Sequence, residues 1–591
     1  MLVLLLGCPW VERETLRDRD RDGFIAMAFA GDDCDDADPA IGAAAIVTYL
    51  DADGDGFGDP ASGELSCGQG GRILDGSDCD DADADWFPVE VWPDDDGDGA
   101  GSDALGPSVG CEGGTWSGGD CDDDNPGVRP GAFENCFDGI DQDCNGTADD
   151  CGAGEPLARG VGAGTQFGQA GLIGADLDGD GQGDLLIGVP TLGALVGFGS
   201  GSATAGSPIT EDDVLLRGEG FGSLGGSSLA VGDIFGDGSQ VLVAGAPAAN
   251  GAVPILAFLP LPATGVRSPT FWLDGLGEEP YSAIGTSLAV GDIDDDGVPE
   301  LIAGDPNEGW YCGGAYVIRT PLPSDIGNIG SVDDYFNEGS AGGVVRLGDS
   351  CSDYADPVTS ERLGSSVALV GAPDGTARVV LAAPMSNRRV EDAGHVYLVG
   401  GTLGDIGTID LSETDNGGVA GLDGGAGFGQ RLATGDLDGD GDGDLLISAP
   451  GATGDVTDGG VVYVLFDAAD ATDGAWIDAE RVALTLRGNT PDGRFGAGLA
   501  VLDHDGDGNA DVAVGVPDLA TGVGTGAVGL FLGPFGAGTR SLTAADRAWA
   551  AEAAGADLGE WLTAGPLDDV AGDELIAGAP GEGNGAIYLL R

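Results

Sequence analysis

From about residue 155 the chain alternates short apolar runs with clusters of Asp and Gly, and the alternation is periodic. Runs at 185–189, 241–244, 379–382 and 512–516 are rich in branched side chains and bounded by Gly and Pro, so they read as strands and not helices. Another run follows in most copies (315–318, 395–399, 461–465, 586–590), and a fourth precedes the next copy (214–218, 482–488). Seven copies begin near Phe167, Phe221, Ile284, Leu363, Phe428, Phe495 and Leu558. Four strands per copy, with almost no helical periodicity, predict an all-β fold, a seven-bladed β-propeller. The last copy stops at Arg591 after its third strand, while Leu157-Ala-Arg159-Gly160 matches the fourth-strand phrase Leu-x-Arg-Gly. Residues near 156–161 are therefore expected to complete the last blade and close the ring.

Each Asp/Gly cluster lies between the first and second runs of its copy. In the fullest copies side-chain oxygens fall at loop positions 1, 3, 5 and 9, Gly at position 6 permits a sharp turn, and a carbonyl at position 7 adds an oxygen. Hard oxygen donors in this number suit Ca²⁺, and several such sites are expected. Repeat one supplies Asp176, Asp178, Asp180 and Asp184 with the Gln182 carbonyl; repeat three supplies Asp292, Asp294, Asp296 and Glu300 with Val298. Repeat five supplies Asp436, Asp438, Asp440 and Asp444 with Asp442; repeat six supplies Asp503, Asp505, Asp507 and Asp511 with Asn509. The other three fit solvated turns: repeat two has Phe235 and Val241 at ligand positions, repeat four has lost the pattern, and repeat seven starts with Pro566.

The first 152 residues differ. Residues 1–10 read as the remnant of an export signal, 11–152 are rich in Asp, Gly and Cys with too little apolar material for an ordinary core, and 153–591 form the propeller. Asp51, Asp53, Asp55 and Asp59, with the Phe57 carbonyl, make a complete loop, as do Asp141, Asp143, Asn145 and Asp149 with Thr147. Asp94, Asp96 and Asp98 form a third, ending at Ser102, while Asp18, Asp20 and Asp22 end at Ala26 and are weaker. Nine of the eleven Cys lie before residue 152, the density of a disulfide-stapled segment made in an oxidising compartment. Short separations point to Cys67–Cys79, Cys111–Cys121 and Cys136–Cys144, and Cys312 and Cys351 flank an insertion whose ends a bridge would tie; the full connectivity stays open. Leu5-Leu6-Gly7-Cys8 resembles a bacterial lipobox, which implies lipidation of Cys8; the alternative is an ordinary Cys8 paired with Cys34.

The formal charge is −80, and all 22 basic residues are Arg. Nothing in such a chain neutralises a phosphate backbone, so nucleic acid is excluded as a partner. Cations in the loops would offset much of the acid. Only two His exist. His395 starts a strand and His504 lies second in a cation loop, and no nucleophile elbow, zinc spacing or phosphate cradle accompanies them.

The order Phe-Gly, Asp-x-Asp-x-Asp-Gly-x-x-Asp, Ala-Pro over about 155–591 resembles the FG-GAP repeats of integrin α-subunit propellers and their bacterial relatives, which implies seven blades with calcium in several. Residues 16–151, with Asp-Cys-Asp-Asp repeated at 33–36, 78–81 and 120–123, resemble MopE-like metal-binding repeats and, more loosely, thrombospondin type 3 repeats. The copper that the MopE name implies is discounted, because this segment has no His. The resulting expectation is a monomeric calcium-binding adhesion or recognition protein, without catalytic activity, that binds an extracellular protein or glycan. It would be secreted or a bacterial cell-surface lipoprotein, meeting the membrane only through an N-terminal lipid. A cation-buffering envelope component and a propeller hydrolase or lyase are the alternatives.

Overall fold

The computed structural model describes most of residues 156–591 and short stretches between 46 and 144; segments such as 1–45, 145–155, 200–213, 323–342 and 349–360 lie outside the described residues. It divides into two compact units, Met1–Phe133 with Ile140–Ala148, and Glu134–Gly139 with Asp149–Arg591.

The second unit is a β-propeller. Its described strands form seven sheets, one per sequence copy, each with an antiparallel set of four strands that in the first six runs in chain order from the inside outward. Blade five is representative: Leu432–Gly435, Asp444–Ala449, Val461–Leu465 and Leu484–Arg487. The innermost strands touch neighbour to neighbour around a complete circle, Trp561–Gly565 of blade seven meeting Ala170–Ala175 of blade one. As expected, Ala158–Arg159 supplies the outer strand of blade seven, with Ala586 opposite Arg159 and Ile587 opposite Ala158. Ring closure therefore joins the two ends of the array in one sheet, and the outward edge of Ala586–Leu590 is paired instead of open.

The second strands are buried on both faces, in every blade but the fourth along their entire length. Each is sandwiched between neighbouring blades, which is why these segments read as unbroken apolar runs instead of alternating. The residue that opens each copy is the wedge between two blades. Phe428 is buried among Val380, Val396 and Val419 of blade four and Leu445 and Ile447 of blade five. Phe495 does the same between blades five and six, edge-on to Phe531. Phe167 packs with Ile576 and Ile587 of blade seven and Ile187 of blade one, sealing the closure.

The Phe-Gly and Gly-Ala-Pro phrases meet across the blades. The Gly before Ala-Pro (or its equivalent) in one blade lies against the Gly after the wedge residue in the next: a Cβ on Gly245, Gly304 or Gly515 would stand 2.0, 2.1 or 1.9 Å from the carbonyl oxygen of Gly285, Gly364 or Gly559. Within a blade the second of these glycines also donates its amide to the strand opposite, as Gly559 does to Gly578 O at 3.0 Å. Two backbones thus approach where no side chain fits.

Four blades carry a fifth strand that the sequence pattern does not announce. Gly265–Arg267, Gly407–Asp410, Trp476–Asp478 and Gly538–Ser541 each leave the third-to-fourth connection of one blade and pair in parallel with the outer strand of the blade before. They cover edges that would otherwise be open.

Among the described residues the first unit holds small sheets: Ile46–Leu50 with Glu64–Ser66 and Arg72–Ile73, Val89–Val91 with Ser108–Gly110, and Gly101–Ser102 parallel to Gly118–Asp120. One disulfide lies among the described residues, Cys121–Cys144, with Cα atoms 5.6 Å apart. It corrects the pairings Cys111–Cys121 and Cys136–Cys144. Sequence separation favours short loops only weakly; here the fold brings 141–144 to the 120–125 turn. Cys8, Cys67, Cys79, Cys111, Cys136, Cys312 and Cys351 lie outside the described residues.

Candidate metal centres

All four loops singled out from the sequence lie in the hairpins between the first and second strands. In each, positions 1, 3 and 9 converge: Asp176, Asp178 and Asp184; Asp292, Asp294 and Glu300; Asp436, Asp438 and Asp444; Asp503, Asp505 and Asp511. In every trio the three carboxylates each offer an oxygen, all within 4.8 Å of one another.

The backbone builds this convergence. In blade five the Asp436 carboxylate accepts the amides of Gly439, Asp440 and Gly441 at 2.9, 3.1 and 3.0 Å, curling the loop around its first residue. Gly441, at position 6, has φ +97°, as Gly297 and Gly508 have +88°, a left-handed turn that disfavours a side chain. Asp444 then closes the loop by accepting the Leu437 amide at 2.7 Å. The same bond recurs from Leu177 to Asp184, Ile293 to Glu300 and His504 to Asp511.

The ninth-position acid is fully or almost fully buried in all four loops. Burial pushes the Glu300 carboxyl up to about 7, against the pull of the Ile293 amide and with the push of Asp294. Burial likewise pushes Asp444 up to about 6, and it raises Asp511. Buried carboxylates facing other carboxylates are stable in ionised form only with a cation among them.

Position 5 makes a local turn through one of its oxygens. Asp296, Asp440 and Asp507 do not join their trios; each instead accepts the amide of position 7, from Val298, Asp442 and Asn509, at 2.8, 2.9 and 2.8 Å. A short aspartate two residues from a free amide makes this turn without help. Asp180 and Gln182 lie outside the described residues. Blade two keeps the scaffold alone: Asp233 accepts the amides of Asp237 and Gly238 at 3.1 and 2.8 Å, with Phe235 and Val241 where acids would stand.

The sequence reading missed one cluster, Asp440, Asp442 and Asp467, whose oxygens also converge. Asp467 follows the third strand, 23 residues beyond Asp444, and its amide bonds Asp444 Oδ1 at 2.9 Å. Only the hairpin pairing reveals it. Blade three adds a competitor: the Arg319 guanidinium is ion-paired with Asp294 and also donates to the Leu403 carbonyl at 2.6 Å.

The donor sets fit a hard divalent cation. They contain oxygen alone, and Asp438 Oδ1 and Asp503 Oδ1 are buried with no hydrogen-bond partner. An acceptor so placed is costly unless something positive meets it.

In the first unit, Asp59 caps the turn Pro60–Ser62 by accepting the Ala61 amide at 2.7 Å, so this acid is engaged locally and forms no described trio with Asp51 and Asp53. Asp94 and Asp96 flank Asp95, whose amide reaches Asp123 at 3.2 Å, bringing one Asp-rich loop to the Asp120–Asn125 turn; Asp141 and Cys144 join that turn through the disulfide. Asp55, Asp98, Asp143, Asn145, Thr147 and Asp149 lie outside the described residues, and Phe57 lies within them.

Fold and loops together define a β-propeller whose hairpins carry convergent acidic clusters that could hold a metal ion. Comparison with known proteins agrees. The FG-GAP repeat model matches residues 428–465, and the putative metal-binding motif of the Cu-binding MopE model matches 33–60, 78–91 and 120–150. Phosphatidylinositol-glycan-specific phospholipase D of Rattus norvegicus is 38% identical over 97 residues, 16% of this chain and 12% of that protein. Integrin alpha-PS2 of Drosophila melanogaster is 43% identical over 96 residues, 15% of this chain and 7% of that protein. The chain thus spans only a small part of these relatives. Among solved structures the V. cholerae biofilm matrix protein Bap1 aligns over 53% of this chain and 40% of its own, at 14% identity and a TM-score of 0.24, too remote to carry an argument.

Proposed function

We propose that the protein is a calcium-binding recognition or adhesion module displayed outside the cell, its propeller stiffened by Ca²⁺ in the hairpins of blades one, three, five and six. The observation that carries this reading is the convergence of three carboxylates in each of those loops, with buried oxygens on Asp438 and Asp503 that no protein donor meets. All-oxygen sets in glycine-turned loops favour Ca²⁺ over softer ions. Asp436, Asp438 and Asp444 and their counterparts would hold the ion, which supplies positive charge between hairpin strands. The partner would be an extracellular protein or glycan bound on another surface of the ring, as the FG-GAP repeat and the integrin likeness suggest. Catalysis forms no part of this reading: the stretches shared with the phospholipase D relatives are short, 97 residues in the rat protein.

Calorimetry on the metal-stripped protein tests the first half, with several Ca²⁺ sites expected and little competition from Mg²⁺. No calcium uptake by the folded chain would end the proposal. Pull-down from envelope extracts with and without EGTA tests the second half. A partner lost on chelation supports recognition, whereas calcium uptake with no partner in either condition favours a cation-buffering envelope component.

A further inference from the structure

Blade seven has no first ligand of its own, because its loop begins with Pro566, yet it reaches into the cation loop of blade six. Asp573 Oδ2 accepts the amide of Asp503 at 3.1 Å, and the Asp573 amide donates to the Asp503 carbonyl at 2.6 Å. Gly572, with φ +103°, lies so close that a Cβ would stand 2.5 Å from the His504 carbonyl oxygen. Asp503 is the first ligand of blade six. Its Oδ2 already accepts the Gly508 amide at 3.0 Å, which leaves the buried Oδ1 beside Asp505 and Asp511.

Blades one, two and five show what this brace replaces. The carbonyl of the loop's second residue is held by an amide from the next blade's third-to-fourth connection: Ala263 to Leu177, Leu322 to Ile234 and Phe535 to Leu437, at 2.8, 2.9 and 2.8 Å. Blade seven has no such connection, because its fourth strand is Ala158–Arg159, from ahead of blade one. Asp573 takes its place one residue earlier in the loop.

Resting on the calcium reading of these loops, we infer that Asp573 is a positioning residue for the blade-six cation, and that this site is coupled to the seating of blade seven and hence to ring closure. The two bonds fix the Asp503 backbone from the neighbouring blade, so the orientation of Oδ1 depends on blade seven being docked. Linkage makes the effect mutual: whatever factor docking adds to cation affinity, the cation returns to docking. The blade-one and blade-five loops are tied to the next blade only through the Ala263 and Phe535 amides, at their second residue and not their first ligand.

The site has its own reporter. His504, second in the loop, meets Trp549 edge-on with ring centroids 6.0 Å apart, so Tb³⁺ bound there is sensitised by Trp549, and the emission abolished by Trp549→Phe belongs to blade six. In the full chain, Asp573→Ala is expected to weaken that Tb³⁺ midpoint about tenfold, the usual effect of removing a residue that orients a ligand. Asp573→Asn, which keeps the acceptor oxygen, should recover most of the affinity and serves where the alanine variant folds poorly. By hydrogen exchange, Ca²⁺ should protect Trp561–Gly565 and Glu574–Ala579 in the natural chain and leave them unchanged in Asp573→Ala. A blade-six midpoint equal in natural chain and folded Asp573→Ala overturns the clamp and spares the calcium reading. If instead the natural chain gives no Trp549-dependent emission and takes up no calcium, both fall.

Discussion

Glu574 accepts the backbone amide of Leu567 at 2.7 Å, the same bond that closes the four cation loops, although the loop they share opens with Pro566 and lacks a first ligand. The ninth-position acid therefore has two separable duties, closing the hairpin and facing a cation. In blade seven only the first is exercised. Removing a buried carboxylate that holds an amide should cost about 2 kcal/mol. Glu574→Ala is thus expected to lower the denaturation midpoint with calcium stoichiometry unchanged, while Asp444→Ala lowers both stability and stoichiometry. Denaturant titration paired with calorimetry separates the two; loss of a calcium site in Glu574→Ala would contradict the division.

Gly515 offers a test of the inter-blade approach. A Cβ there would lie 1.9 Å from Gly559 O and 2.7 Å from its carbonyl carbon, backbone that moves only if blades six and seven separate. Gly515→Ala should destabilise by ~3 kcal/mol or more, in the range of overpacked cores. Gly508→Ala meets nothing within 4 Å, but its φ of +88° adds backbone strain, about 1 kcal/mol, and should show chiefly in calcium affinity. Thermal unfolding of the two variants ranks them; equal midpoints would mean the ring relaxes more easily than its geometry implies.

On the calcium reading, Arg319 is expected to make blade three the weakest of the four sites. Its guanidinium is paired with Asp294, so an incoming cation must displace it or share the carboxylate. Arg319→Gln should tighten calcium at that loop several-fold, and the gain should shrink modestly in high salt, since the pair is only partly open to solvent and screened to that extent. Calorimetry at two ionic strengths reads this directly.

Much of this was legible in the chain because it is local. The strands announce themselves through short apolar runs, and the loop acids through spacing that a hairpin converts into convergence. The closing strand at 156–161 was legible from its repeated phrase. What escaped is what two distant segments make together. Gly538–Ser541 has no periodicity of its own and becomes a strand only by pairing with Leu484–Arg487 of the blade before. Asp467 and Asp573 carry no loop signature, and the Asp440, Asp442 and Asp507 side chains and backbones answer to neighbours that spacing does not rank. The disulfide failed for the same reason. Peptide mapping without reduction should recover Cys121 linked to Cys144; a Cys136–Cys144 peptide in its place would reverse the correction.

Asp305 stands where blades two, four, five and seven have alanine in Ala-Pro, and it is fully buried. It accepts the amides of Ala283 and Asn307 at 2.7 and 3.2 Å and the Ser282 hydroxyl at 2.5 Å. Glu308 is the nearest like charge, itself tied to the Tyr316 hydroxyl and the Arg346 guanidinium. Burial, opposed by the Ser282 and Ala283 bonds, pushes Asp305 from 3.8 up to about 6. Between those values the folded chain keeps a proton that the unfolded chain has released, so stability from this group falls as pH rises through the window. The penalty is absent below about pH 4 and complete above about pH 6, on the order of 3 kcal/mol by the usual conversion. Asp305→Asn keeps both amide acceptors, adds a donor for Ser282 and carries no charge. It should therefore be more stable than the natural chain at pH 8 and equal to it near pH 4, with the gap opening between. Urea denaturation across that range is the measurement, and a variant no more stable at pH 8 would mean that the ionised carboxylate is better solvated than its burial implies.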